Sequence, residues 1–290
     1  VPKLEDNIFD SNPYLRRIKE RSMVKIDGGT QILVPLEYAI NGAGGWYSGA
    51  DTLDTSDTDV ITSADYSWKQ IYENISIKRS DELKNSGDAA KLNFVKSKMK
   101  NAEKSMLDRI GTGLYSDGSD AKSIVGLRDF CATDQTVGGI SQSTYSWWQS
   151  NVDSTTTVTS MSALQAVYND ATVDNMAPTV ALCPRAVFNY YYSLLQPQQR
   201  FTDSDTAKGG FSSLMFNGIP VIADSHAPAN HFFFINEDVV KLYVHRDEDM
   251  RFEPFQKPLD QNVMVAKIYS MMAFTSGNNR LLGALTGLTS

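Results

Sequence analysis

Catalytic or metal chemistry in this chain would have to come from few side chains. His226, His231 and His245 are its three histidines, and Cys131 and Cys183 its two cysteines. His226 and His231 could form half of a zinc site, because a neutral imidazole nitrogen is a common zinc ligand. The cysteines are far apart and fit no metal spacing. Loop or hydrogen-bonding histidines and buried free thiols, as in an intracellular protein, are therefore expected instead. Asp51, Asp54, Asp57 and Asp59 could offer carboxylate oxygens to Ca²⁺, but the run lacks the Gly and the closing Glu of an EF-hand, so a solvated acidic tip is expected. Trp147-Trp148 could stack on a sugar or a base; core burial or a subunit contact is the expectation. The sequence contains no G-x-S-x-G, no G-x-x-x-x-G-K-[ST], no H-E-x-x-H and no C-x-x-C, and Gly42-Ala43-Gly44-Gly45 lacks the spacing of a dinucleotide loop. The reading is a chain with no catalytic residues, no cofactor and no metal site.

Charge is distributed more informatively than chemistry. From Ile26 to Trp68 there is no Lys or Arg, but there are seven acids: Asp27, Glu37, Asp51, Asp54, Asp57, Asp59 and Asp65. The net charge of -7 comes from 34 acids and 27 bases, so the remaining 27 acids balance the bases and this one stretch holds the whole excess. From Lys69 to Arg109 the balance reverses, with ten bases and six acids. The acidic total argues against a general nucleic-acid binder, which needs clustered Lys and Arg.

The elements that position these groups follow from periodicity. The 290 residues, 41% apolar and 21% charged, suffice for a packed core in one large or two modest domains. No window approaches a membrane span, and no signal pattern opens the chain. The start lacks Met, as a processed or trimmed start would. Asn12-Pro13 is a helix start, with Leu15 and Ile18 as its apolar stripe. Ile32, Val34, Leu36, Tyr38 and Ile40 alternate along a strand, and Pro35 marks it as an edge. A polar run, Asp51 to Ser63, separates it from a second strand carrying Trp68, Ile71, Tyr72, Ile75 and Ile77. Together the two strands read as a long ribbon, marginal on its own. Ala89, Leu92, Val95, Met99, Ala102, Met106 and Ile110 then step by three or four along a helix from about 88 to 111. Its opposite face carries Lys91, Lys96, Lys98, Lys100 and Lys104, a solvated face or a docking surface for an acidic segment. Helices are expected from Ser160 and from Pro184, and core strands at 179–183, 218–223 and 231–235. Longer strands are expected at 241–255 and 263–274. This order makes an α+β fold.

Gly138-Gly139-Ile140-Ser141 followed by Tyr145, Trp147 and Trp148 resembles a stretch of tailed-phage major capsid proteins. So does Leu214-Met215-Phe216-Asn217-Gly218-Ile219-Pro220-Val221-Ile222-Ala223-Asp224 followed by Phe232-Phe233-Phe234-Ile235-Asn236, and so does the opening with Gly28-Gly29, Pro35, Trp68-Lys69-Gln70 and Ile75-Ser76-Ile77. The resemblance implies the Hong Kong 97-type capsid fold. On it, residues 1–27 form an N-terminal arm, 28–78 an extended β-hairpin called the E-loop, and 79–125 a P-domain with a long spine helix. Residues 126–237 form an A-domain, 238–275 the P-domain return strands, and 276–290 a C-terminal segment of the A-domain.

The resemblance also implies a function: a major capsid protein that self-assembles into pentamers and hexamers of an icosahedral shell. The shell would enclose double-stranded DNA without sequence-specific binding, in a virion assembled in the bacterial host cytoplasm. Scaffolding, portal and decoration proteins are further partners it allows; a membrane is not among them. Fewer than 30 residues precede Gly28, too few for a scaffold domain. The expected subunit-interface residues are Trp46, Tyr47, Asp51, Asp54, Asp57, Asp59, Asp65 and Trp68 on the E-loop. Facing them, in a neighbour, would be Lys91, Lys96, Lys98 and Lys100 on the spine. Some relatives join an E-loop Lys covalently to an Asn of another subunit. With no Lys between Lys25 and Lys69, non-covalent locking is expected. The competing readings are an encapsulin-like compartment shell, a tail or connector component, and a secreted carbohydrate-binding or hydrolytic protein.

Overall fold

The computed structural model describes residues 12–84, 88–155, 160–195, 214–259 and 262–288; the side chains of 82, 84 and 88–94 lie outside that description. Helix α1 (Pro13–Arg21) is capped by the Asn12 side chain, which accepts from the Leu15 amide, and it buries Tyr14, Leu15 and Ile18. Strands β1 (Met23–Ile26), β2 (Gln31–Glu37), β3 (Ile61–Ser67) and β4 (Lys69–Lys78) follow, then helices α2 (Arg79–Lys84), α3 (Asp88–Gly113) and α4 (Leu127–Phe130). The middle holds β5 (Thr136–Val137), β6 (Ile140–Ser141), β7 (Asn151–Asp153), α5 (Met161–Asp170), β8 (Val180–Cys183) and α6 (Arg185–Leu194). The last part is mostly strand: β9 (Leu214–Phe216), β10 (Ile219–Ala223), β11 (Phe232–Ile235), β12 (Val240–His245), β13 (Arg251–Gln256), β14 (Val263–Ser276) and β15 (Gly283–Leu285), with short 3-10 turns at Arg246–Glu248 and Asn279–Leu281. Pro197, which as a helix breaker would end α6, lies outside the described residues.

Two sheets organise these elements. In the five-stranded sheet, β14 is the spine: β4 pairs along one side of it from Val263↔Lys78 to Met272↔Lys69, and β12 and β13 share the other side. The six-stranded sheet runs β7-β15-β11-β8-β10-β9, and its strands β8 and β11 are buried on both faces. That double burial explains why both read as uninterrupted apolar runs. Parallel pairs (β1 with β12, β8 with β10, β7 with β15) mix with antiparallel ones, as an α+β fold without regular crossovers allows. Helix α3 lies on β4 and buries Ala102, Met106 and Ile110, the second half of its apolar stripe. Its 26 residues make it roughly 39 Å long at 1.5 Å per residue.

Two expectations need correction. The partner of β2 is β3, in register from Gln31↔Ser67 to Glu37↔Ile61, and not the stretch from Trp68 to Ile77. That stretch belongs to the five-stranded sheet, where Ile75 and Ile77 are buried, so the two-stranded ribbon closes at Ser67. The polar run hid β3 because only Ala64 and Tyr66 turn inward there, and Ala is a weak signal. Likewise 241–255 is two strands, β12 and β13, separated by a 3-10 turn over Arg246–Glu248 and a positive φ of 53° at Met250.

Candidate functional site

The ribbon of β2 and β3 carries the interface residues expected on the hairpin. Pro35 sits in β2 opposite Ser63, and among the described residues β2 has no second partner, so the missing N–H costs no ladder bond. Ile32, Leu36, Ala64 and Tyr66 are buried on the inner side. Ile40, expected to continue that face, is almost fully exposed because the strand ends at Glu37.

The root of the ribbon is fixed by four contacts. The Asp65 amide donates to the Gly138 carbonyl at 2.9 Å. Gly138, at φ 59°, presses on Ala64: a Cβ on it would lie 2.7 Å from the Ala64 Cβ. The Tyr66 hydroxyl donates to the Ser276 carbonyl at 2.9 Å and accepts from the Ser276 amide. Tyr38 stacks on Trp147 with ring centroids 5.2 Å apart. None of these four contacts was legible in the sequence. The Gly138-Gly139 turn between β5 and β6, both glycines at positive φ, was the one available signal.

Beyond the root, residues 38–60 form a loop held by its own polar groups. The Tyr38 hydroxyl donates to the Asp59 carbonyl, and Asn41 Oδ1 accepts from Thr58 Oγ1 and the Ala43 amide. Asp51 accepts from the Ser48 amide and Asp54 from the Ser56 amide; the latter bond holds the Asp54 carboxyl below its usual range. Trp46, Tyr47 and Leu53 project into solvent, Trp46 completely. Among the described residues no cation lies within ion-pair distance of Asp51, Asp54, Asp57, Asp59 or Asp65, whereas Asp27 pairs with Arg246 at 2.9 Å. Trp68 departs from the expected set. It is half-buried, its indole N–H donates to the Gly29 carbonyl at 2.9 Å, and its ring meets His245 edge-on.

On α3, Lys96 and Lys100 are exposed. Lys98 is turned to its own chain and donates to the Ser76 carbonyl at 3.0 Å, beside a groove of about 370 Å³ between α3 and β4. The Lys91 side chain lies outside the described residues. At the near end of β4, Lys69 Nζ donates to the Ala121 carbonyl at 2.6 Å.

The remaining chemical candidates do not converge. His226 lies between Asp108 and Asp224, while the His231 ring meets the Ala229 carbonyl at 2.7 Å and stacks on Phe233. Among the described residues no three His, Cys, Asp or Glu side chains could hold a metal ion. Both cysteines are free and buried, and burial pushes the Cys131 thiol up to about 12. Trp148 is core, its indole N–H on the Val137 carbonyl. No described helix is long and apolar enough to cross a membrane.

No family model and no curated protein matches the sequence. Solved structures do match over nearly the whole chain. The subunit of the cyanophage A-1(L) capsid superposes with a TM-score of 0.72 at 16% identity, over 99% of this chain and 96% of that one. The capsid of an empty GTA particle gives 0.68 at 11% identity, over 100% and 94%. An encapsulin complex from Synechococcus elongatus gives 0.65 at 11% identity, over 99% and 96%. The chain therefore has the Hong Kong 97-type capsid fold, α+β, that the resemblance implied.

Proposed function

We propose that the chain is the major head protein of a tailed double-stranded DNA phage. It is a non-enzymatic subunit that assembles with its own copies into pentamers and hexamers of an icosahedral shell around the genome. The observation that carries this reading is the ribbon of β2 and β3. It is anchored rigidly at its root and ends in a loop that presents Trp46, Tyr47 and Leu53 to solvent. A two-stranded ribbon with exposed aromatics gains little by itself, and it becomes stable when a neighbouring subunit covers it. Capsid subunits matching this chain over nearly their full length support the same reading.

In this reading residues 1–27 are the N-terminal arm and the ribbon is the E-loop. Helix α3 with the five-stranded sheet is the P-domain, and the six-stranded sheet is the A-domain. The acids of the loop meet a basic surface of the neighbour, with Lys96 and Lys100 as its most accessible described members. Each exposed pair is worth only about 0–1 kcal/mol, so the charges set orientation and rate more than strength. The shell locks without isopeptide bonds, since the loop has no Lys and Lys69 is bonded to its own chain. Packaged DNA is held without sequence-specific contacts, assembly takes place in the host cytoplasm, and portal, scaffolding and decoration proteins are the other partners.

The encapsulin match supports a second reading, a compartment shell that encloses proteins. Electron microscopy and nucleic-acid extraction of nuclease-treated particles test both. Shells with protected double-stranded DNA fit a phage head, shells with protein cargo and no DNA fit a compartment, and absence of shells overturns both. A ladder of linked subunits on a boiled SDS gel of mature shells would overturn non-covalent locking.

A further inference from the structure

His226 joins two bodies of the fold. It lies in the turn that leaves β10 of the six-stranded sheet, and it reaches the last turns of α3, the helix that covers the five-stranded sheet. Its Nε2 is 2.8 Å from Asp108 Oδ1 on α3, and its Nδ1 is 3.2 Å from Asp224 Oδ1. Asp224 is fully buried, takes the His226 amide at 2.9 Å on the same oxygen, and takes the Tyr115 hydroxyl at 3.1 Å on the other. With a carboxylate at each ring nitrogen, both nitrogens act as donors, which is the imidazolium form.

The surroundings are built for that cation. Asp108 stands near the C-terminal end of α3, where the helix dipole disfavours an acid unless a positive charge accompanies it. Gly111 makes the space: a Cβ there would lie 3.2 Å from His226 Cε1 and 1.9 Å from Asn12 Nδ2. The ionisable groups around the imidazole are Asp108 from α3, Asp224 from its own turn and, behind Asp224, Tyr115 and Tyr14. Of these described groups none is a base. Hydrogen bonds and charge from Asp224 and Asp108 raise the His226 pKa to about 9 against the opposing effect of burial.

We propose that His226 is a charged latch that fastens the C-terminal end of α3 to the turn after β10, and that loss of its proton frees that end. The latch holds whether or not the chain builds a shell, because every group in it belongs to one subunit.

The sign follows from linkage. A histidine whose folded pKa is raised contributes stability fully present below its ordinary 6.5 and lost as pH rises through about 9. Hydrogen exchange of the full chain tests the latch, with H226Q and the milder D108N, which keeps Asp224 paired. At pH 7 H226Q should exchange the amides of 106–116 about tenfold faster than the wild type, a one-unit effect on the pKa scale, and D108N, which removes the more exposed of the two carboxylates, about two- to fivefold faster. The amides of 263–276 should be unchanged. The His226 ring resonances should titrate near pH 9 in the wild type and lower in D108N. If D108N leaves both the protection and the titration of His226 as they are, or if wild-type His226 titrates near 6.5, the latch is overturned. H226Q failing to fold would leave D108N as the deciding variant.

Discussion

Arg17 in the first helix grips Glu237, 220 residues later, through paired bonds of 2.5 and 2.9 Å. Glu237 is buried and also accepts from Thr179 Oγ1, while its carbonyl accepts from Ser22 Oγ. The bidentate fork thus ties α1 to the end of β11. Removing one partner of a buried pair typically costs about 3–5 kcal/mol, and here Arg21, 3.5 Å from Glu237 Oε2, leaves the carboxylate one weaker cation when Arg17 is lost, so the lower end applies. Arg17→Ala and Glu237→Gln should each lower the unfolding free energy by an amount of that order, read as a fall in the urea midpoint at unchanged m. The double variant Arg17→Met/Glu237→Leu should recover a large part of the loss. An Arg17→Ala midpoint equal to wild type would contradict the assignment.

The root of the ribbon makes a second prediction. Gly138 combines positive φ with an approach to Ala64 that leaves no room for a methyl group. Gly138→Ala should therefore cost about 1–3 kcal/mol through strain and displaced packing. Because the Asp65 amide bonds the Gly138 carbonyl, the loss should appear locally. Limited proteolysis within 38–60 should quicken more than the global unfolding midpoint falls. Gly139→Ala, at a position with open space but φ 76°, should show the strain without the clash and be milder.

The loop separates folding from assembly. Trp46 and Tyr47 touch no core, so Trp46→Ala and Tyr47→Ala should shift subunit stability by less than about 0.5 kcal/mol. The same substitutions should abolish or strongly reduce particles seen by electron microscopy. Asp54→Asn, Asp57→Asn and Asp59→Asn together should weaken the salt dependence of the assembly rate. Unchanged assembly in the triple variant would remove charge from the account of the arm.

What was legible in the chain and what was not divides along physical lines. Helix α3 was legible because its buried residues recur at helical spacing, and β8, β10 and β11 because double burial leaves continuous apolar runs. Strand β3 was not, since its inward residues are just Ala64 and Tyr66 between polar neighbours. The site divided similarly. The acidic, lysine-free loop could be read directly from residue types. Its anchors could not, because Tyr66–Ser276 and Arg17–Glu237 join residues more than 200 positions apart. Trp68 and Lys98 look like surface groups by type, yet backbone carbonyls of the same chain, at Gly29 and Ser76, take their N–H bonds.

Asp129 gives the chain a pH dependence of opposite origin to that of His226. It is 5% exposed, and its carboxyl lies against Gly118, whose ideal Cβ would be 2.5 Å from Oδ2. Burial first, and the charge of Asp117 second, raise its pKa to about 6, with Arg128 opposing. A carboxyl raised in the folded state binds its proton more tightly there than in the unfolded chain. Stability therefore falls as pH rises from about 4 to about 6 and stays reduced above. Asp129→Asn removes the buried charge, so it should stabilise the protein above pH 6, on the order of 1–2 kcal/mol. The gain should vanish near pH 4, where the wild-type carboxyl is protonated in the fold. Urea midpoints of the two proteins at pH 4.5 and pH 7.5 decide it: a difference that does not grow with pH would mean that Asp129 is not the titrating group.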